Sequence, residues 1–372
     1  MMTGKERLLS IYQGKSPDRP AVRLWGLMPG QKLLHPAYEP VYRAAMEHTD
    51  LILDARSAFD IHWGVHRDDM LEVNTVRVND EWVDIETVAH TPAGIMKGTY
   101  RESTLGNPGY IREHMLKEPE DIRKVLSIPY EPFTFSAAEY LEKERSAGDN
   151  GIVVFILDHA FYGLHRLAGS ENLAVWGIDN RDILLEAVHA FVERIKGQIL
   201  EVIKAGLRPV FGWVGPEVCI PPLMRMKDFE DFIFNVDKPL IDLIHEAGGY
   251  VWVHCHGRMR SVLERFLAMG VDVMNPIEPP PMGDITLEDA FTLTEDRMGL
   301  EGNIEIHDLM SASGEQLEQI ISEAIGVGGN GRRFILCPTS GYMEYPDPPK
   351  RLIDNLLIYI QEGVRYAKEY ES

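Results

Sequence analysis

The run Val251-Trp-Val-His-Cys-His-Gly257 places three side chains able to ligate a metal or move a proton at the end of a short apolar stretch. In an extended strand successive side chains face opposite ways, so His254 and His256 share one face and Cys255 takes the other. Two imidazoles converging at a strand end suit two chemistries: holding a zinc ion, or binding and protonating a substrate oxygen. The plainer alternative is a histidine pair satisfied by backbone carbonyls. Glu217 lies between Gly215-Pro216 and Cys219 on a loop stiffened by Pro221-Pro222, which would hold a side chain well. Glu278 sits in Pro276-Ile277-Glu278-Pro279, and Cys337 closes a late apolar stretch. These residues give a catalytic set of His254, His256, Glu217 and Glu278, and a metal set of His254, His256, Glu217 and Cys337.

The elements that must carry these groups are clearest from residue 150 onward, where strand-length apolar runs alternate with long amphipathic segments. Strands are predicted at Gly151 to Leu157, Pro209 to Trp213, Tyr250 to Cys255, Val271 to Asn275, Met298 to Glu301 and Phe334 to Cys337. Between them fall helices at His159 to Gly169, Asp182 to Ala205, Asp228 to Ala247, Met259 to Met269, Leu287 to Thr294 and Gly314 to Ile325, with Lys350 to Lys368 closing the chain. Earlier, Ala21 to Gly26 and Asp50 to Asp54 can supply the first two strands. Such alternation implies a parallel sheet, and the count favours a closed (β/α)8 TIM barrel, in which catalytic groups stand at the C-terminal strand ends. Leu71 to Val78, Trp82 to His90 and Ile95 to Arg101 alternate apolar and polar residues across turn signals, the pattern of an antiparallel meander inserted at about residues 71–101. Without a repeat or a flexible linker, residues 1–372 are expected to form a single domain.

Composition narrows the partners. The chain has 37 basic and 58 acidic residues, a net charge of -21, which disfavours nucleic acid and anionic membrane surfaces. Cys219, Cys255 and Cys337 are odd in number and far apart, so a reducing, cytoplasmic setting fits. No run reaches the length of a membrane span. Trp25, Met28, Trp63, Phe161, Tyr162, Trp213 and Tyr342 fall at predicted strand ends or loops and could wall a flat apolar pocket with Asn303 at its edge; ordinary core packing is the competing reading. His62, His66, His159 and His165 are open between the same two readings.

His254-Cys255-His256-Gly257, Gly270-Val271-Asp272, Asn275-Pro276-Ile277-Glu278-Pro279, Gly302-Asn303-Ile304 and Pro348-Pro349 before Asn355 together resemble the uroporphyrinogen decarboxylase superfamily, with an echo at Pro17-Asp18-Arg19-Pro20. The likeness covers most of residues 200 to 360. It implies a (β/α)8 barrel and leaves two chemistries, decarboxylation and cobalamin-dependent methyl transfer. Decarboxylases of this kind carry a paired-arginine segment near the N-terminus and a Gly-His-Gly turn after the last strand. Here the corresponding stretches read Ala21-Val22-Arg23-Leu24-Trp25-Gly26 and Ser340-Gly341-Tyr342, which suit a polyanionic tetrapyrrole poorly. The zinc methyltransferases carry His-x-Cys-Gly and a distant cysteine. In this chain His254 carries over, His256 replaces the thiolate, and Cys337 lies short of the position near Gly341 where that cysteine would fall.

Harder ligands favour polarising an ether oxygen over activating a thiol. The resemblance therefore implies a corrinoid-dependent methyltransferase of the O-demethylase type. It would move a methyl group from a small methylated donor, most simply a methoxylated aromatic, to cob(I)alamin. No Asp-x-His-x-x-Gly motif is present, so the cobalamin is expected on a partner corrinoid protein, with zinc a candidate ion and a homodimer an assembly left open. The alternatives are a uroporphyrinogen-type decarboxylase and a non-catalytic barrel that binds a metal or corrinoid.

Overall fold

The computed structural model describes residues 1–56, 60–131, 135–341 and 346–371. Among these, the strands in chain order are β1 (Ala21–Val22), β2 (Leu51–Arg56), β3 (Leu71–Arg77), β4 (Trp82–Thr91), β5 (Gly94–Ser103), β6 (Tyr110–Glu113), β7 (Gly151–Leu157), β8 (Val210–Val214), β9 (Tyr250–His254), β10 (Val273–Ile277), β11 (Gly299–Ile304) and β12 (Phe334–Pro338). Eight of them form one curled sheet in the order β1-β12-β11-β10-β9-β8-β7-β2, with every paired neighbour parallel. Parallel neighbours need crossovers, and helices supply most of them, among them Arg181–Lys204 between β7 and β8 and Gly314–Gly328 between β11 and β12.

Both faces of the sheet are covered, which explains why β7 reads as an unbroken apolar run. Ile52, Ile152, Val154, Val210, Trp252, Val273 and Ile335 fill the concave interior, and Leu8, Ile11 and Tyr12 of the helix Gly4–Tyr12 plug its floor. The alternate residues Leu53, Val153, Phe155, Phe211, Val253 and Leu336 pack outward with the helices. The period of two thus decides, residue by residue, which side chains can reach a site.

The closed barrel expected from the strand count is corrected to a barrel-like sheet in which, among the described residues, no ladder joins the first strand, β1, to the last, β2. The β1 and β2 edges meet at Asp50: its backbone N–H donates to the Val22 carbonyl at 2.7 Å, and its carboxylate accepts from the Val22 N–H at 2.9 Å. Arg7 holds that carboxylate at 2.6 Å while donating to Asp18 at 2.7 Å, and Arg19 stands 3.6 Å from Asp50. The Pro17-Asp18-Arg19-Pro20 segment is therefore part of the seam. β1 is only two residues long and spends its ladder on β12, so side-chain charge takes over the joining to β2.

The inserted meander comprises β3, β4, β5 and also β6, a separate antiparallel sheet. The fourth strand has four exposed residues and pairs across an irregularity at Thr99/Tyr100, which left it without a sequence pattern. Asp84 staples the sheet, accepting from Arg101 at 2.7 and 2.9 Å and from Arg112 at 2.7 Å. Ala89 and Met96 bury the inner face of the meander against the body of the molecule. The helix expected to end at Gly169 does break there, where a non-helical φ of 78° makes room for the His114 ring, and a second helical segment runs on from the kink to Asp179. No helix among the described residues is long and apolar enough to cross a membrane.

Candidate functional site

His254 is the last residue of β9, and His256 follows two positions on. Their rings lie 4.5 Å apart between centroids, edge to face, while Cys255 is fully buried in the outer layer. Gly257 makes the turn behind them at φ +99°, a conformation that suits glycine, and its N–H donates to Glu278 Oε2 at 2.7 Å. Glu278 Oε1 meets His256 Nδ1 at 2.8 Å. The glycine directly after the histidine pair thus builds half of the carboxylate's seat.

The two imidazoles have opposite electrostatics. Burial, then the neighbouring His256, holds His254 down to about 4, so it is neutral. Its Nδ1 lies 2.6 Å from Asn275 Oδ1, which assigns the proton to Nδ1 and leaves Nε2 as an acceptor. Burial also works against a charge on His256, but the hydrogen bond and charge of Glu278, with Glu217 and Glu305 beyond, outweigh it and raise that imidazole. Glu278 answers in kind: despite burial, His256 and the Gly257 N–H keep it below the usual carboxylate range.

Two further carboxyls behave differently. Burial pushes Glu217 up, with Glu278 adding to the rise and His256 and His159 easing it. Glu305, just past β11, is pushed up to about 7 by burial and by the charge of Glu278. Thr339 Oγ1 donates to its Oε2 at 3.1 Å. Glu305 Oε1, Glu217 Oε2, Asn275 Nδ2 and Asn303 Oδ1 are all buried without a hydrogen-bond partner among the described residues. Buried polar atoms are ordinarily paired, so their accumulation on the C-terminal sides of β8, β10 and β11 marks groups that await a ligand. Glu305 was not anticipated from sequence. Its signal is the period-two series Glu301, Asn303, Glu305, recognisable once β11 is seen to extend to Ile304.

Beneath this layer lies another charged cluster. Arg23, 2% exposed, pairs with Glu301, 0% exposed, and Trp252 Nε1 donates to Glu301 Oε2 at 2.9 Å. Arg23 also stands over the Trp25 ring at 4.6 Å. Trp25 in turn packs against His254, ring centroid to ring centroid 4.9 Å, so it walls the histidines on one side.

The remaining candidates divide. Tyr162 packs on Gly215 beside the Glu217 loop and stacks on His165 at 5.5 Å. Met28 makes its hydrogen bonds with Gln31 in the loop after β1. Trp63 is buried on the meander side and lines a different cavity. Trp213 packs in the outer layer because Gly212 and Val214, its neighbours in the two-residue period, take the concave side; Gly212 lies against Trp252 and Val154. Tyr342 lies outside the described residues. His159 is committed to Asp237 at 2.9 Å and His62 to the Gly163 carbonyl at 3.0 Å.

Among the described residues no three His, Cys, Asp or Glu side chains gather so as to hold a metal ion. Cys337 belongs to the lower layer, where burial and the adjacent Glu301 push its thiol well up. What the rim can do on its own is proton chemistry. It offers a neutral imidazole, a charged one, and a carboxyl able to give up a proton near neutral pH.

No family of known proteins matches the chain by sequence, and no curated protein does. Among solved structures it is similar to a methyltransferase from Methanosarcina mazei over 100% of both chains, with a TM-score of 0.61 and 14% sequence identity. That likeness is one of fold.

Proposed function

We propose that this chain is a methyltransferase that takes a methyl group from a small methylated donor, a methoxylated aromatic, and passes it to cob(I)alamin presented by a partner corrinoid protein. The observation that carries the reading is Glu305, a buried carboxyl poised at about 7 with an unpartnered oxygen, beside the His256–Glu278 pair. The shared fold with a methyltransferase supports it.

The corrinoid would supply the electron pair that takes the methyl carbon. The electrons of the broken C–O bond remain on oxygen, so the barrier depends on stabilising and protonating a departing phenolate. Glu305 gives that proton and becomes a carboxylate; the imidazolium of His256, fixed by Glu278, stabilises the oxygen until transfer is complete. Neutral His254 and Trp25 form the apolar side of the pocket and limit water. A corrinoid ring is too large to enter a filled sheet interior, so the reacting groups must meet at the rim. The test is to mix the protein with cob(I)alamin and a panel of methoxylated aromatics and follow the methylcobalamin spectrum. Methyl transfer is the expected result. No transfer from any methoxy or methylamine donor, together with decarboxylation of uroporphyrinogen, overturns the reading.

A further inference from the structure

At the C-terminal ends of β2 and β7, two strands well away from β9 in the sheet order, three arginines face one cavity of about 240 Å³. Arg56 ends β2, Arg67 begins the short helix Arg67–Met70 that leads into the meander, and Arg166 projects from the helix Ala160–Asp179. Ile156, Leu157 and the buried Gln198 form the floor.

The two acids in this cavity neutralise its three arginines only in part. Asp60 is occupied, accepting from the backbone N–H groups of His62 at 2.8 Å and Trp63 at 3.2 Å and standing 3.3 Å from His62 Nδ1. Asp158 is half-buried and lies 3.8 Å from Arg166. Arg56 and Arg67 have no hydrogen-bonded or ion-paired side-chain partner among the described residues. In a chain of net charge -21, where acids outnumber bases, two unpaired guanidinium groups at one cavity form an uncommon concentration of positive charge. A guanidinium presents a planar fork that matches a carboxylate or phosphate in two parallel hydrogen bonds.

The cavity does not end there. Asp60, Arg67 and Arg166 also line a second cavity of about 500 Å³ roofed by the meander, whose apolar walls include Trp63, Leu71, Tyr100, Ile111 and Met115. We infer that the two joined cavities bind a small organic anion, its carboxylate or phosphate between Arg56, Arg67 and Arg166 and its apolar body under the meander. The site gives the insertion a purpose, since β5 and β6 supply the apolar wall that the eight-stranded sheet alone lacks. The inference stands apart from the methyl-transfer reading, because none of its residues belongs to the histidine cluster.

Isothermal titration of the full chain at low ionic strength with benzoate, phenyl phosphate, inorganic phosphate and benzyl alcohol tests it. Saturable binding of benzoate or phenyl phosphate is expected, at least tenfold tighter than inorganic phosphate, with no binding of neutral benzyl alcohol. Arg56→Ala/Arg67→Ala should weaken the bound anion at least tenfold with an unchanged melting temperature, because both side chains are exposed. Meander replacement Tyr100→Ala should weaken benzoate and phenyl phosphate and leave inorganic phosphate as it was. Failure of every anion to bind, undiminished binding by the double arginine variant, or inorganic phosphate bound as tightly as phenyl phosphate overturns the inference, whatever the outcome with cob(I)alamin.

Discussion

Two charged layers lie one above the other in this sheet, and they are built on opposite terms. In the lower one, Arg23, Glu301 and Trp252 hold one another, both Glu301 oxygens are engaged, neither ion reaches solvent, and of the trio's polar atoms Arg23 Nε is left without a hydrogen-bond partner among the described residues. In the upper one, His256 and Glu278 form a pair of the same kind, but Glu217 and Glu305 beside it keep an oxygen without a partner. A buried charge is costly unless paired, so the lower layer is arranged for the fold, and the upper layer carries a deficit that a ligand can fill. Function is read from what remains unsatisfied, and charge alone is a poor guide.

Removing one partner in the lower layer should have the largest effect. Arg23→Met leaves Glu301 buried without its counter-charge, and unfolding in urea should show a loss of about 3–5 kcal/mol. A loss below about 1 kcal/mol would break the comparison, because it would mean that the lower pair is no more essential to the fold than an exposed one.

His254 comes next and separates the two layers by pH. Its folded value of about 4 lies below the ordinary 6.5, so between those values the unfolded chain binds the extra proton and the folded chain does not. Stability is therefore complete above about pH 6.5 and falls as pH drops toward 4, by about 3 kcal/mol from this residue. Urea unfolding at pH 7 and pH 4.5 should show that slope, and His254→Gln should flatten it; an equal slope in the variant would remove His254 as its source.

Much of this was legible beforehand and some was not. The alternation after residue 150 placed β7 to β12 within a few residues, and strand parity put His254 and His256 together, because both depend on local periodicity. Arg23 and Glu301 are 278 residues apart, and no local pattern announces their pairing. Trp213 was misjudged for want of strand phase: Gly212 is the inward residue, and a glycine gives no sign of direction. Glu305 was missed because β11 was read as ending at Glu301, which left its carboxyl apparently in a loop. Depth was hidden for a related reason, since strand ends bring residues to one rim without fixing how far down each lies, and Cys337 lies a layer below the histidines.

The upper layer itself is tested by Glu305→Gln. With its value raised to about 7 from 4.5, the folded chain keeps a proton that the unfolded chain has already lost, so this residue's contribution declines as pH rises through that interval. Glutamine cannot ionise, and the variant should gain about 3 kcal/mol over wild type at pH 8 and almost nothing at pH 4.5. If Glu305 is the proton donor, methyl transfer at pH 7 should fall by about 10²-fold, the contribution typical of general acid catalysis. Greater stability with lost activity is the signature of a group kept for chemistry. Lower stability at pH 8 would return Glu305 to the architecture of the lower layer.

Glu278→Gln should have the smallest effect on stability and the most specific one on charge. Glu278 raises His256 through a hydrogen bond at 2.8 Å and through its own negative charge; an amide can keep the first in part and loses the second. His256 is half-buried, so burial, now less opposed, should carry its titration downward. The raised value of His256 in wild type contributes stability that is full below its unfolded value and is lost as pH rises through the folded one, so the variant should lose stability on the acid side and match wild type on the alkaline side. The imidazole C–H resonances resolve the change directly: one histidine titrating above the ordinary 6.5 in wild type should move downward in Glu278→Gln, while His254 stays near 4, because losing the Glu278 charge, which raises it, opposes losing the His256 charge, which lowers it. A His256 that titrates unchanged would show that Glu278 only positions the Gly257 turn, and the upper layer would then hold one proton-bearing group, Glu305, in place of two.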